Sequence, residues 1–289
     1  MMRLIFICTL SVVTTQMVTG KSLPWKRITV DGVEMPGINV GHPDDNSTTV
    51  QDVMLWFSKG GRGIDTAFDY HNQNEVGQAI EKSGLKRENI FVTTKISPTV
   101  CTEANALKAV QRDLNELGLE YVDLVLHHFP CGHFVGINNE KGNVAVWKGL
   151  EEALANNLTR AIGVSNYLPA DLEPLLQLKG TVPAVNQAQM SVGSHDDATI
   201  AFCDAHNITY EAYSPLRHVN LSNPTLVDIA DAHSITTAQV ALKWIAQQNI
   251  LIATSPGADE NFVVADLSLG DIDDFTDGEM NALSLISNT

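Results

Sequence analysis

Long apolar runs are nearly missing from this 289-residue chain. Only LIFICTLSVV near its start stands out, and it is too short to cross a bilayer, which takes about 20 residues. No later stretch is long enough, so no membrane is expected for the mature form. Cations are scarce as well. Lys and Arg number 18 against 34 Asp and Glu, a formal net charge of -16 spread along the chain. Such a surface repels a phosphate backbone, which excludes nucleic acid as a partner. Only four cysteines occur; Cys8 lies in that first apolar run, and the three others cannot form a disulfide framework and fit no zinc motif by spacing, so no metal is expected. A G-x-G-x-x-G fingerprint is also absent, which leaves a Rossmann domain without support.

What is there begins with a three-part leader. Arg3 precedes the apolar LIFICTLSVV, and polar TTQMVTG then ends in a small residue, the form of a secretory signal over residues 1–20 with cleavage after Gly20. Four N-x-S/T sequons, at Asn46, Asn157, Asn207 and Asn220, agree with passage through the secretory pathway to the ER lumen or the exterior. Removing the leader takes Cys8 and leaves Cys101, Cys131 and Cys203. Whether these pair is open; Cys131 reads as a core or rim cysteine close to His128.

Residues 21–289 read as one domain with 44% hydrophobic residues over the chain, ample for a large core. RITV-DG-VEMPG reads as a hairpin turning at Asp31-Gly32. Eight short apolar runs then each end in polar groups: GINVGH (Gly41, His42), GIDTAFDY (Asp65, Tyr70), IFVTTK (Lys95), VDLVLHHFP (His128), RAIGVSN (Ser165, Asn166), PAVNQ (Gln187), TYEAYSP (Tyr213, Ser214) and ILIATS (Ser255). The stretches between them hold a helix and two loops each. NEVGQAIEKSG closes on Gly84 and TEANALKAVQRDLNELG on Gly118, while Thr48 or Thr49 is placed to cap the helix VQDVMLWFSKG. The layout is that of an α/β fold, a (β/α)8 TIM barrel with an N-terminal β-hairpin, whose reactive groups gather where the strands end.

The segments GIDTAFDYHNQNEVGQAI, YVDLVLHHFP, AIGVSNY, PAVNQ, AYSPL and AQVALKW, in this order, resemble those of the aldo-keto reductases, from about Ile28 to the final helix. The resemblance implies reduction of aldehydes and ketones by a nicotinamide cofactor laid across the barrel top, without a metal. It also implies a small carbonyl substrate, and the chain is expected to act as a monomer. Tyr70, Lys95, Asp65 and His128 match the family's catalytic positions. Ser165, Asn166 and Gln187 match positions that hold the nicotinamide carboxamide, and Tyr213 the aromatic stacked on its ring. Ser214 and the backbone at Leu216 match pyrophosphate contacts, and Ser255, Glu260 and Asn261 match ribose and adenine contacts.

The residue types suit that chemistry. Carbonyl reduction needs a hydride at carbon and a proton at oxygen, and tyrosine, near pKa 10, is a poor donor unaided. A neighbouring Lys95 ammonium is expected to lower that value, Asp65 to hold the lysine, and His128 to orient the substrate oxygen. His127, one position earlier on the strand, points the other way and reads as packed core.

Several positions depart from the family. Thr254 stands where a lysine usually faces the 2′-phosphate of NADPH, and the arginine that usually follows is missing from ATSPGADENF. The expected cofactor is therefore NADPH or NADH. His42 and Pro43 alter the first loop, the long C-terminal tail is absent, and Arg217 can return positive charge near the pyrophosphate. The weaker reading is a non-catalytic secreted binding protein on a reductase scaffold.

Overall fold

Parallel strands covered on both faces need apolar side chains on both, which is why the runs above are nearly continuous rather than alternating. A computed structural model describes residues 23–29, 32–41 and 47–287. The leader, Asp31 of the hairpin turn, His42, Pro43 and the Asn46 sequon lie outside the described residues. Two short antiparallel strands, β1 (Lys26–Arg27) and β2 (Glu34–Met35), form the N-terminal hairpin. Eight further strands follow: β3 (Ile38–Gly41), β4 (Gly63–Asp65), β5 (Phe91–Ile96), β6 (Val122–His127), β7 (Thr159–Ser165), β8 (Val185–Gln189), β9 (Thr209–Tyr213) and β10 (Leu251–Thr254). They close in sequence order, β10 pairing with β3, into a parallel barrel. All eight expected strands are present.

Around the barrel run α1 (Thr49–Ser58), α2 (Gln73–Ser83), α3 (Glu103–Leu117), α4 (Glu140–Ala155), α5 (Pro169–Gln177), α6 (Asp197–Ala205), α7 (Pro224–His233) and α8 (Thr237–Gln247), then α9 (Glu260–Leu267) and α10 (Asp277–Ser284). Gly84 and Gly118 end α2 and α3 at φ 63° and 66°, the left-handed stop that their lack of a Cβ permits. Thr48 does occupy the N-cap of α1 but makes no side-chain bond there. Its φ of -107° and ψ of -8° are not the extended backbone that aims a capping oxygen at the first N–H groups.

Strand alternation separates two cores. Val92, Ile96, Val125, Ile162 and Val164 face outward and pack with Trp56, Trp147 and Trp244 of the helices. Phe91, Leu124, Leu126, Val185 and Leu251 point into the barrel, where Ile28, Val33 and Met35 of the hairpin segment join them. The inside is thus apolar toward the strand starts. The polar inward positions lie further along the same strands: Lys95 follows Phe91 by four residues on β5, and both side chains therefore point inward.

The register also explains a pairing the sequence left open. Cys101, in the loop after β5, is disulfide-bonded to Cys131, in the loop after β6, with Cα atoms 5.9 Å apart. The two meet because β5 and β6 are neighbours. Cys203 is free and buried. Opening this bridge in a Cys101→Ser/Cys131→Ser variant is expected to lower unfolding free energy by about 3.7 kcal/mol, the chain-entropy value for a sequence separation of 30. Urea denaturation checks it, and a loss under about 1 kcal/mol would reject a stabilising role.

Of the sequons, Asn157 and Asn207 are exposed just before β7 and β9, at the end of the barrel where strands begin; Asn220 is exposed in the loop after β9, at the opposite end. Among the described residues no helix is long and apolar enough to cross a membrane.

Candidate active site

Asp65 is the last residue of β4, and the chain then tightens into one 3-10 turn, Phe68–Tyr70. His71 ends that turn at φ 55°, a conformation that costs a non-glycine residue about 1 kcal/mol or more. The Arg112 guanidinium of α3 lies 3.2 Å from the centroid of the Phe68 ring and braces the turn from behind. Tyr70 is thereby set over the strand ends, with its hydroxyl 3.2 Å from Lys95 Nζ.

Lys95 is fully buried. Its ammonium donates to Asp65 Oδ1, to the Thr66 carbonyl at 3.3 Å and to the Tyr70 hydroxyl. Burial alone pushes this amine toward neutrality, but Asp65 and Tyr70 reverse the effect and hold it above its ordinary value. Tyr70 departs from the sequence expectation. Burial raises its phenol above the ordinary value, and Asp65 adds to the rise; Lys95 pulls the other way and loses. The tyrosine is therefore a fully loaded acid at neutral pH. Lys95 still favours the phenolate, but only enough to offset part of the desolvation.

Beneath this pair Gln187 Nε2 donates to Asp65 Oδ2 at 2.7 Å and to Glu211 Oε2 at 2.8 Å. Asn39 Nδ2 donates to the other Glu211 oxygen at 3.0 Å. Glu211 is wholly buried, and burial with the nearby Asp65 charge raises it above the usual carboxylate range. Gln187, matched to a nicotinamide position, thus spends both amide hydrogens on carboxylates. Only its carbonyl oxygen is left for a ligand.

His128 lies just past β6, its ring 5.6 Å from that of Tyr70 and nearly perpendicular to it. Its Nδ1 is 3.2 Å from Asp69 Oδ2. His127 points outward as expected, is fully buried, and bonds the Tyr167 hydroxyl through Nδ1 at 2.7 Å. Burial, helped by His128, depresses it to about 3, so it is a neutral structural group.

Asn166 sits at φ 61° after β7. Its Nδ2 donates to the His128 carbonyl and to Ser165 Oγ, both at 3.0 Å, and its Oδ1 accepts from the Tyr213 hydroxyl at 2.9 Å. One short side chain thus ties β6, β7 and β9 together behind the tyrosine rings.

A cleft of about 530 Å³ opens above these groups. Asp65 and Tyr70 line one part of it, and Tyr213, Ser214, Leu216, Arg217, Thr254 and Ser255 continue it along the β9 and β10 loops. Ser214 takes φ 53°, and its carbonyl accepts the Arg217 N–H at 3.0 Å. This arrangement fits an elongated nicotinamide dinucleotide: polar groups and an aromatic ring lead from the acid at Tyr70 to a cation at Arg217.

Thr254 turns away from any phosphate. Its hydroxyl donates to the buried Asp266 carboxylate at 2.8 Å, and burial raises Asp266 to about 6. Ser165 and Gln187 are buried beneath the cleft, and Asn166 is only part-exposed. Glu260 and Asn261 stand apart at the exposed start of α9, where Glu260 pairs with Lys59 of the segment after α1.

Three features escaped the sequence reading: Asp69, Glu211 and the disulfide. Asp69 had a signal, its place beside Tyr70 in FDYH, but nothing linear ties it to His128. Glu211 lies two residues before Tyr213 on β9, and strand period alone puts it on the same inward face.

The family model described as Aldo/keto reductase family matches residues 37–268. The chain is 36% identical over 249 residues to the 9,11-endoperoxide prostaglandin H2 reductase of Trypanosoma cruzi (strain CL Brener), covering 83% of this chain and 85% of that one. Its fold superposes on the crystal structure of an aldo/keto reductase from Brucella melitensis with a TM-score of 0.83 at 30% identity, over 91% of this chain and 99% of that one. A Bombyx mori aldo-keto reductase solved in complex with NADP gives a TM-score of 0.82 at 25% identity, over 91% and 92% of the two chains.

Proposed function

Since the chain belongs to the aldo/keto reductase family and is an NAD(P)H-dependent oxidoreductase, we propose that it works in the secretory pathway and reduces small aldehydes or ketones with Tyr70 as the acid. The observation that carries this reading is the buried Asp65–Lys95–Tyr70 chain at one end of the cleft.

The cofactor supplies the hydride; the chain's own residues handle the proton. A carbonyl oxygen near Tyr70 gains negative charge as its carbon accepts hydride, and the phenol proton moves to it. The Lys95 ammonium, locked by Asp65, offsets the phenolate left behind. Lys95 moves nowhere in this step, so no reorganisation is needed when charge develops. Burial keeps bulk water from competing for the proton and strengthens every charge interaction in the site.

Cofactor choice rests on Arg217 and Thr254. With Thr254 committed to Asp266, Arg217 is the one cation lining the cleft among the described residues. It is exposed, suited to a pyrophosphate that NADH and NADPH share. The Cys101–Cys131 bridge supports the secretory part of the reading, since such bonds persist in oxidising compartments. The exposed sequon asparagines agree with it.

Fluorescence titration with NADPH and NADH separately is the test. Both are expected to bind, with the usual preference for NADPH weakened. Arg217→Ala is expected to weaken both about tenfold, the worth of one charge-assisted bond. Unchanged affinity would remove Arg217 from the site. If wild-type protein bound neither, the enzyme reading would fall and a non-catalytic binding protein would take its place.

A further inference from the structure

We propose that Asp69 is a positioning residue for His128, fixing its tautomer so that the imidazole helps carbonyl reduction only when it carries a second proton. The inference rests on the reductase reading of the same site. Asp69 Oδ2 and His128 Nδ1 are 3.2 Å apart, and a carboxylate in that place accepts the Nδ1 proton. The Tyr70 and Phe129 rings also touch the imidazole, but among the described residues no other hydrogen bond reaches its nitrogens. A neutral His128 held this way carries its proton on Nδ1 and a bare lone pair on Nε2. That lone pair repels a carbonyl oxygen and accepts a hydrogen bond from an alcohol. Only the imidazolium can donate from Nε2 to the carbonyl.

The charged and titratable groups around the ring are few. Asp69 comes from the 3-10 turn, with Tyr70 beside it; Lys95 comes from β5, Asp65 from β4, and His127 precedes His128 on β6. Burial pushes the His128 imidazole below its ordinary value, and Lys95 adds to that; Asp69, with a smaller push from Asp65, opposes them. The bond to His128 in turn holds the Asp69 carboxyl below its ordinary value, with Ser97 also bonded to it. His127 stays neutral and sends its own ring nitrogen to Tyr167. Asp69 is thus the main group favouring the protonated form of His128 against the burial that disfavours it.

The consequence is a directional pH dependence. Hydride adds to the carbonyl carbon, the π pair moves to oxygen, and the Tyr70 proton joins it; His128 transfers no atom. Its donated bond is present below the His128 pKa and lost as pH rises through it. Reduction is therefore favoured on the acid side. Alcohol oxidation, where the substrate hydroxyl can donate to Nε2, is favoured on the alkaline side.

Two measurements test this with folded, full-length protein. Long-range 15N–1H correlation on histidine-labelled protein, with His128 assigned by its loss in His128→Gln, is expected to show the Nδ1–H tautomer in wild type and the Nε2–H form gaining in Asp69→Leu. An Nε2–H tautomer in wild type overturns the proposal, whether or not any carbonyl is reduced. In steady-state kinetics, the ratio of kcat/KM for carbonyl reduction at about pH 6 to that at about pH 8 is expected to fall at least about threefold in Asp69→Asn and to return in Asp69→Glu. A uniform loss at every pH would mean a merely structural role and also overturns it. If wild type reduced no carbonyl, the reductase reading would fail, while the tautomer measurement would still decide the Asp69 pairing.

Discussion

Tyr70→Phe is expected to lower kcat/KM for carbonyl reduction by about 1,000-fold, within the usual range for removing a general acid. Nicotinamide cofactor affinity should stay within about twofold. The substitution removes only the hydroxyl, so the ring keeps its place beside His128 and the braced turn at Phe68. Lys95 keeps its bonds to Asp65 and to the Thr66 carbonyl. What is lost is the proton that burial holds on the phenol until charge develops on the substrate. Stopped-flow reduction and a parallel cofactor titration separate the two effects. Retained turnover would reject Tyr70 as the acid, and a matching fall in cofactor affinity would show a disturbed cleft instead.

Lys95→Met carries the second large effect, on folding as well as on turnover. Lys95 and Asp65 are both buried, and removing one partner leaves the other as an uncompensated interior charge. Such a change costs about 3–5 kcal/mol in unfolding free energy. Adding Asp65→Asn to Lys95→Met is expected to recover much of that stability, because the orphaned charge is gone and Gln187 can still bond an amide oxygen. Turnover should stay low in both variants, since neither restores an ammonium beside the tyrosine. Urea denaturation of the two variants decides the matter. A cost under about 1 kcal/mol, or no recovery in the double variant, would mean the ion pair does not hold this part of the barrel together.

These two expectations rest on groups that were legible in the sequence, but for unequal reasons. Asp65, Lys95 and His128 each follow an apolar run, and strands in a barrel of this class place such endings at one face. The residue types were therefore readable by position. The sign at Tyr70 was not. A lysine neighbour argues for a lowered phenol, and the structure reverses that because the desolvation of Tyr70 depends on how completely the surrounding loops bury it. Gln187 shows a similar limit. Its strand-end position suggested a hand for the cofactor, whereas the barrel interior places both Asp65 and Glu211 within its reach.

The sequence by itself determined the eight strands, the helices between them, the side to which each strand-end group points and the lack of a lysine or arginine in the segment from Thr254 to Phe262. Those follow from local periodicity and residue type, which need only the neighbouring few residues. Barrel closure decided the rest. It brought Cys101 to Cys131, Asp69 to His128, Gln187 to Glu211 and Thr254 to Asp266. None of these pairs is set by spacing along the chain. Each depends on strand register and loop path, which burial of the two cores settles as a whole.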